Sequence, residues 1–201
     1  MNQDNFVNGP LSGMILAGGA SRRMGRNKAE LVLGGKTLLQ WQADKLRGLG
    51  IEDVMLSGAG CPVLSGTRVI PDEFPGSGPL AGLHACLRAA RHPACLVVSV
   101  DVPLVPAWAL VGLCRAHCGG VTVLRHGEWE EPLIGVYDRA VAQRIPGLLA
   151  FGRRSVRGLK AEAGWNTFVY SGPEELLTNC NTPEEFALIE ELLRREYSQN
   201  T

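Results

Sequence analysis

Residues 14–28 read Met14-Ile-Leu-Ala-Gly-Gly-Ala-Ser-Arg-Arg-Met-Gly-Arg-Asn-Lys28. An apolar run passes directly into Gly18-Gly19, with no polar spacer between them. Paired glycines at a strand end permit positive φ and let backbone approach a ligand closely. Consecutive N–H groups in such a turn can face inward and cradle anionic oxygens. Ser21 adds a hydroxyl, and Arg23 and Lys28 add positive charge, so the segment suits a triphosphate. It is not a Walker loop, because Arg26 and Asn27 separate Gly25 from Lys28, and it lacks the G-x-G-x-x-G of dinucleotide binders.

The rest of the chain repeats the strand-then-turn theme. Strands are predicted at Met14–Leu16, Asp53–Leu56, Arg68–Ile70, Cys95–Ser99, Val121–Leu124, Leu133–Tyr137 and Asn166–Tyr170. Runs such as Cys95-Leu-Val-Val-Ser99 do not alternate, which suits strands covered on both faces. Thr37-x-x-Gln40 reads as a capping box opening a helix with Leu39, Ala43 and Leu46 on one face. Thr182-Pro-Glu-Glu185 opens another, with Phe186, Ile189 and Leu193 as its stripe. Further helices are predicted over Leu80–Ala90, Ala107–His117, Arg139–Leu149 and part of Ser155–Ala163. Alternating strands and helices imply a three-layer α/β/α, Rossmann-like fold with a mostly parallel central sheet. Ligands of such sheets bind where the strands end, so the turns after the strands are the places to search.

The 201 residues suit one domain, with the first eleven expected to be flexible. The stretch to about residue 118 is expected to bind the ligand named below, and 119–201 to supply a second subsite. Twenty basic residues balance twenty acidic ones. A chain that holds nucleic acid through backbone charge carries a basic excess, so a nucleic-acid partner is not expected. No apolar run approaches the roughly 20 residues of a membrane span, and no membrane partner is expected. The six cysteines form no C-x-x-C pair, and Cys86, Cys95 and Cys114 sit in apolar stretches. Reduced thiols in a cytoplasmic setting are the default, ahead of a metal cluster at Cys114, His117 and Cys118.

Three further segments carry chemistry. Asp101 follows a buried strand, and Pro103 prevents that strand from continuing. A carboxylate there is a hard-oxygen ligand for Mg²⁺, or else a turn or cap residue. Asp72 ends a second strand and leaves the same choice between a ligand contact and a turn. Gly76-Ser-Gly-Pro-Leu-Ala-Gly82 opens a helix, and helix-opening N–H groups can meet a base edge or an anion. In the second half, Arg153-Arg-Ser-Val-Arg157 is either a solvated helix end or a set of anion contacts. Asn179 and Asn181 offer donors and acceptors, although Asn181-Thr182 also reads as helix-entry chemistry. Trp129 and Trp165 read as packing residues.

Leu-Ala-Gly-Gly-x-Ser-x-Arg-Met-Gly-x-x-Lys, residues 16–28, resembles the signature loop of nucleotidyltransferases with the nucleotide-diphospho-sugar transferase fold. Within that group the chain most resembles the molybdenum cofactor guanylyltransferases, from about Ser12 to Leu193. The resemblance implies transfer of GMP from Mg-GTP to the phosphate of molybdopterin, with pyrophosphate released. Mg²⁺, or Mn²⁺, would be held by Asp101. Arg23, Lys28 and Asp101 would be catalytic. Leu16, Ala17, Gly18, Gly19, Ser21, Lys28, Ser57, Asp72, Pro79, Leu80 and Asp101 would bind nucleotide. Asn179, Asn181 and Arg154 would bind the acceptor, and Glu131-Pro-Leu-Ile-Gly-Val-Tyr137 resembles a family strand close to it. Gly18-Gly19 and Pro79-Leu80 favour GTP over CTP by the same resemblance, whereas Ser57 stands where many guanylyl members have Asn. The expected assembly is a monomer in transient contact with other proteins of the same biosynthesis. The alternatives are a cytidylyl or sugar-phosphate nucleotidyltransferase, or a non-catalytic nucleotide-binding module.

Overall fold

The computed structural model describes residues 9–17, 28–58 and 62–199. Gly18, Gly19, Ser21 and Arg23, central to the expected phosphate cradle, lie outside the described residues. Strand β1 (Leu11–Leu16) is followed by a small hairpin of β2 (Val32–Leu33) and β3 (Lys36–Thr37), then α1 (Leu38–Gly48), β4 (Val54–Ser57) and β5 (Arg68–Ile70). Next come α2 (Pro79–Ala89), β6 (Ala94–Ser99), α3 (Ala107–Ala116), β7 (Val121–His126) and β8 (Trp129–Asp138). The chain closes with α4 (Ile145–Ala150), β9 (Trp165–Val169) and α5 (Pro183–Gln199). Each of the seven predicted strands coincides with or overlaps a strand of one sheet, ordered β5-β4-β1-β6-β8-β7-β9. Strand β1 starts earlier than predicted: Leu11, the last of the residues expected to be flexible, is buried in it, as is Ser12.

The sheet is parallel except at β8, which runs antiparallel to both β6 and β7. Strands β1, β4 and β6 are buried at every position, as unalternating runs require. Successive side chains enter opposite layers. Ile15, Leu56, Leu96 and Val98 pack with α1, α3 and α5 through Leu39, Leu46, Leu110, Leu113 and Ile189. Met14, Met55, Cys95 and Val97 pack with α2 and α4 through Leu83, Leu87, Ile145 and Leu148. This is the three-layer α/β/α arrangement expected from the alternation of elements.

The local signals behave as their chemistry dictates. Thr37 accepts from Gln40 N–H, and Gln40 Oε1 accepts from Thr37 N–H, completing the capping box of α1. At α5, Glu185 accepts from Thr182 N–H while Thr182 Oγ1 accepts from Glu185 N–H. The helix predicted over Arg139–Leu149 is instead a 3-10 segment at Arg139–Arg144 followed by α4. Pro146 is the reason: it has no N–H to give, and its ring collides with the carbonyl four residues earlier. His117 is held by Thr122 Oγ1 and Asp138 Oδ1, each 3.0 Å from a ring nitrogen. Both of its nitrogens are thereby engaged in structural contacts. No helix among the described residues is long and apolar enough to cross a membrane.

The amino-terminal edge of the sheet is tied by one carboxylate. Asp53 is buried between β1, β5 and the turn after α2. It accepts from Ser12 Oγ at 2.6 Å, from Arg91 N–H at 3.1 Å, and from Arg68 Nε and Nη2 at 3.0 and 2.6 Å. Burial pushes its pKa up, but these hydrogen bonds and the Arg68 charge outweigh burial and hold it below the usual carboxylate value. A depressed carboxylate stabilises the fold above its unfolded pKa and loses that contribution as pH falls through its folded value. Asp53→Ala is therefore expected to cost about 2–3 kcal/mol at neutral pH, and the gap from the parent protein should narrow below about pH 4. Urea unfolding at several pH values reads this, and a gap independent of pH would contradict it.

Candidate active site

Four parallel strands end in register at one edge. Leu16 lies opposite both Ser57 and Ser99, and Ser57 lies opposite Ile70. The chain leaves β1, β4, β5 and β6 at this edge, so Ala17, Asp72 and Asp101 all follow strands there. Because β8 runs the other way, its first residues come to the same edge, with Glu131 opposite Leu124.

Asp101 is the most firmly positioned group of this edge. Its N–H donates to Ser99 Oγ at 3.2 Å, and its carbonyl accepts from Cys180 N–H at 2.7 Å. The turn around it is gripped from α1. Gln42 Nε2 donates to Ser99 O at 2.7 Å and Val102 O at 2.8 Å, and Lys45 Nζ donates to Pro103 O at 2.7 Å and Val105 O at 2.8 Å. Gln42 is fully buried. The sequence carried a signal for it: a polar residue three places after Leu39 and four before Leu46, within an apolar stripe.

Lys28 meets Asp101 from a 3-10 turn, Lys28–Glu30, beyond β1. Its Nζ lies 3.2 Å from Asp101 Oδ1 and donates to Asn181 Oδ1 at 2.5 Å. Asn181 is aimed by its own backbone: its N–H donates to Glu185 Oε2 at 2.7 Å, beside the Thr182 N–H bond of the α5 cap. Burial pushes the Asp101 pKa up; Lys28 pulls it down and Glu185 adds a small push, leaving it above the ordinary value. One ammonium group thus leaves part of this carboxylate's demand for positive charge unmet.

The remaining expected residues distribute around this centre. Asp72 is half-buried, with one oxygen fully enclosed and without a hydrogen-bond partner among the described residues, and burial raises its pKa. Ser57 is buried, with Gly82 of α2 packed so closely on it that a Cβ there would stand 2.9 Å from its Oγ. Leu16, Ala17 and Leu80 are buried beneath the edge, while Pro79 is exposed at the start of α2. Gly78, which caps α2 at φ +72°, lies against the backbone of Arg154. The three expected acceptor contacts are therefore not one cluster. Arg154 stands by the α2 entry, Asn181 touches Lys28, and Asn179 lines a cavity beside His126, Trp129 and Glu131. Trp129 is 63% exposed, at the surface rather than in the core.

In a mostly parallel α/β sheet ligands bind at the carboxyl ends of the strands, and Lys28, Asp101 and Asn181 converge at that edge. Residues 13–163 match the MobA-like NTP transferase domain. The chain belongs to that family and is a nucleotidyltransferase. It is 38% identical over 193 residues to the molybdenum cofactor guanylyltransferase of Cereibacter sphaeroides, covering 92% of this chain and 98% of that one. Among solved structures it is similar to the molybdopterin-guanine dinucleotide biosynthesis protein A of Archaeoglobus fulgidus (TM-score 0.75, 24% identity, 92% of this chain and 100% of that one). A Mycobacterium tuberculosis H37Rv protein solved in complex with manganese shares the fold (TM-score 0.66, 17% identity, 90% and 98% covered).

Gln42→Leu keeps the volume but strips two buried carbonyls of their donor. Stability should fall by about 1–3 kcal/mol, and nucleotidyl transfer by roughly tenfold or more, as the Asp101 turn loosens. Unfolding curves and pyrophosphate release measure both. Full turnover in this variant would mean that the turn holds Asp101 unaided.

Proposed function

We propose that the chain transfers GMP from GTP to the phosphate of molybdopterin, forming molybdopterin guanine dinucleotide and releasing pyrophosphate. The observation that carries this reading is the convergence of Lys28, Asp101 and Asn181, drawn from three distant parts of the chain, in a protein so similar to a molybdenum cofactor guanylyltransferase. An oxygen of the acceptor phosphate attacks the α-phosphorus. A new P–O bond forms, the α–β bridging P–O bond breaks, and its electrons leave with pyrophosphate. The attacking phosphate is already ionised, so no general base is required. Catalysis is then mainly positioning and charge stabilisation.

Lys28 would supply positive charge to the leaving phosphates, with Gly18, Gly19, Ser21 and Arg23 as further phosphate contacts. Asp72, half-buried just after β5 at this edge, would accept from an N–H or O–H of the nucleotide. Pro79 and the backbone at the α2 entry would border the base. The Asp101 carboxylate, a hard-oxygen donor that stays partly exposed just past β6, would hold a divalent cation, Mg²⁺ or Mn²⁺. Such an ion, when bound, neutralises phosphate charge as the α-phosphorus is attacked. Asn179, Asn181 and Arg154 are the proposed acceptor contacts.

Calorimetry with GTP, CTP, ATP and UTP in the presence of Mg²⁺ should rank GTP first. Pyrophosphate release should require both GTP and molybdopterin. Asp101→Ala should lower it by roughly 10³-fold with the unfolding transition retained. Preference for CTP, or normal turnover by Asp101→Ala, would overturn the assignment.

A further inference from the structure

On the face of the sheet that carries α1 and α3, a cavity of about 550 Å³ opens between the end of α1, α3 and β9. Buried Leu49 and Val111 line it, together with the half-exposed Trp108 and with Phe168. Lys45 and Arg115 are its charged residues, and among the described residues no carboxylate lines it. None of these side chains belongs to the expected nucleotide or acceptor contacts. We propose that this cavity binds a small aromatic anion, and that filling it weakens the grip of Lys45 on the Asp101 turn.

Shape favours a small molecule over another protein. Drug-sized ligands fill concave sites of about 300–1,000 Å³, whereas a stable protein partner covers about 800 Å² on each side. The hollow depends on a missing side chain: Phe168 lies so close over Gly112 that any Cβ there would overlap its ring. Trp108 forms a fixed wall, because its indole stacks on Tyr170 with ring centres 5.2 Å apart and 7° between the planes. Tyr170 is itself buried, and its hydroxyl donates to Pro173 O at 3.1 Å. A half-exposed indole that is already ordered loses little entropy when a second ring covers it.

Charge sets the sign of the ligand. Arg115 is exposed at the cavity and has no ion-pair partner among the described residues. Lys45 Nζ donates to Pro103 O at 2.7 Å and to Val105 O at 2.8 Å, both neutral acceptors. A carboxylate entering beside it competes with those carbonyls, because a charged acceptor bonds an ammonium roughly twice as strongly as a neutral one. The carbonyls belong to the turn that carries Asp101, so one lysine touches both the cavity and the turn. Two separate sites that draw on one donor are coupled in free energy.

The probes are 1-naphthoate, its neutral isostere 1-naphthamide and the cationic 1-naphthylmethylammonium, each titrated against the full chain by calorimetry. Naphthoate should bind roughly tenfold more tightly than the amide, with the cation weakest. Arg115→Gln should cut that preference to roughly threefold or less with its unfolding curve unchanged, and Trp108→Ala should weaken naphthoate and naphthamide alike. Saturating naphthoate should lower pyrophosphate release roughly threefold without competing with GTP, while naphthamide leaves release unchanged. Without probe, Arg115→Gln should turn over as the parent does. Equal binding of naphthoate and naphthamide, or an undiminished preference in Arg115→Gln, would overturn the anion site. Naphthoate bound with release unchanged would overturn the link through Lys45. Inhibition competitive with GTP would place the probe in the nucleotide pocket and overturn both. Reversible dimerisation that Trp108→Ala abolishes would give the cavity to a second copy of the chain instead. The binding titrations need no turnover, so they decide the site even where the guanylyltransferase reading fails.

Discussion

A carboxylate held mostly out of water needs its positive partners supplied by structure, and this fold is arranged around meeting that need at Asp101. Its backbone is bonded on both sides, to Ser99 Oγ and from Cys180 N–H, and its turn hangs from Gln42 and Lys45 of α1. Lys28 then supplies one charge and shares it with Asn181. Burial still outweighs that charge. An incoming cation or donor therefore gains from a site whose geometry is already set, which is the condition under which positioning contributes to rate.

The two poles of the sheet are built differently for a reason. At the amino edge Asp53 is saturated with donors and its pKa is depressed, so it anchors the fold. At the carboxyl edge Asp101, Asp72 and Glu131 all have raised pKa values because burial exceeds the compensation around them. Incompletely satisfied carboxylates cost stability, and here they gather at the carboxyl edge of the sheet, the place where ligands of such sheets bind. The antiparallel β8 extends that edge: reversing one strand brings Glu131 and the β7–β8 hairpin beside the ends of the parallel strands.

Much of the fold was legible because its signals are local. Apolar, β-rich runs between helical patterns located the seven strands of the sheet, and the two capping boxes located the starts of α1 and α5. Pro146 was a visible break within an expected helix, and its missing N–H split Arg139–Leu149 in two. The hairpin of β2 and β3 was not expected from the sequence; in its turn Gly34 and Gly35 both adopt positive φ. In the site, Lys28, Asp72 and Asp101 stood out by type and place. Gln42 was visible only as a polar residue on an apolar stripe, and its purpose was hidden because its partners lie 57 and 60 residues away.

The sequence alone determined the elements, the layer pattern and the edge where chemistry belongs, because periodicity, caps and glycine turns depend on near neighbours. Only tertiary structure decided which residues meet there. Asn181 reaches Lys28 across 153 positions, Asn179 two residues earlier faces a different cavity, and Arg154 lies by α2 rather than beside either. Such meetings follow from strand order and direction, which depend on how whole faces bury against one another and leave no mark in the spacing of any single segment.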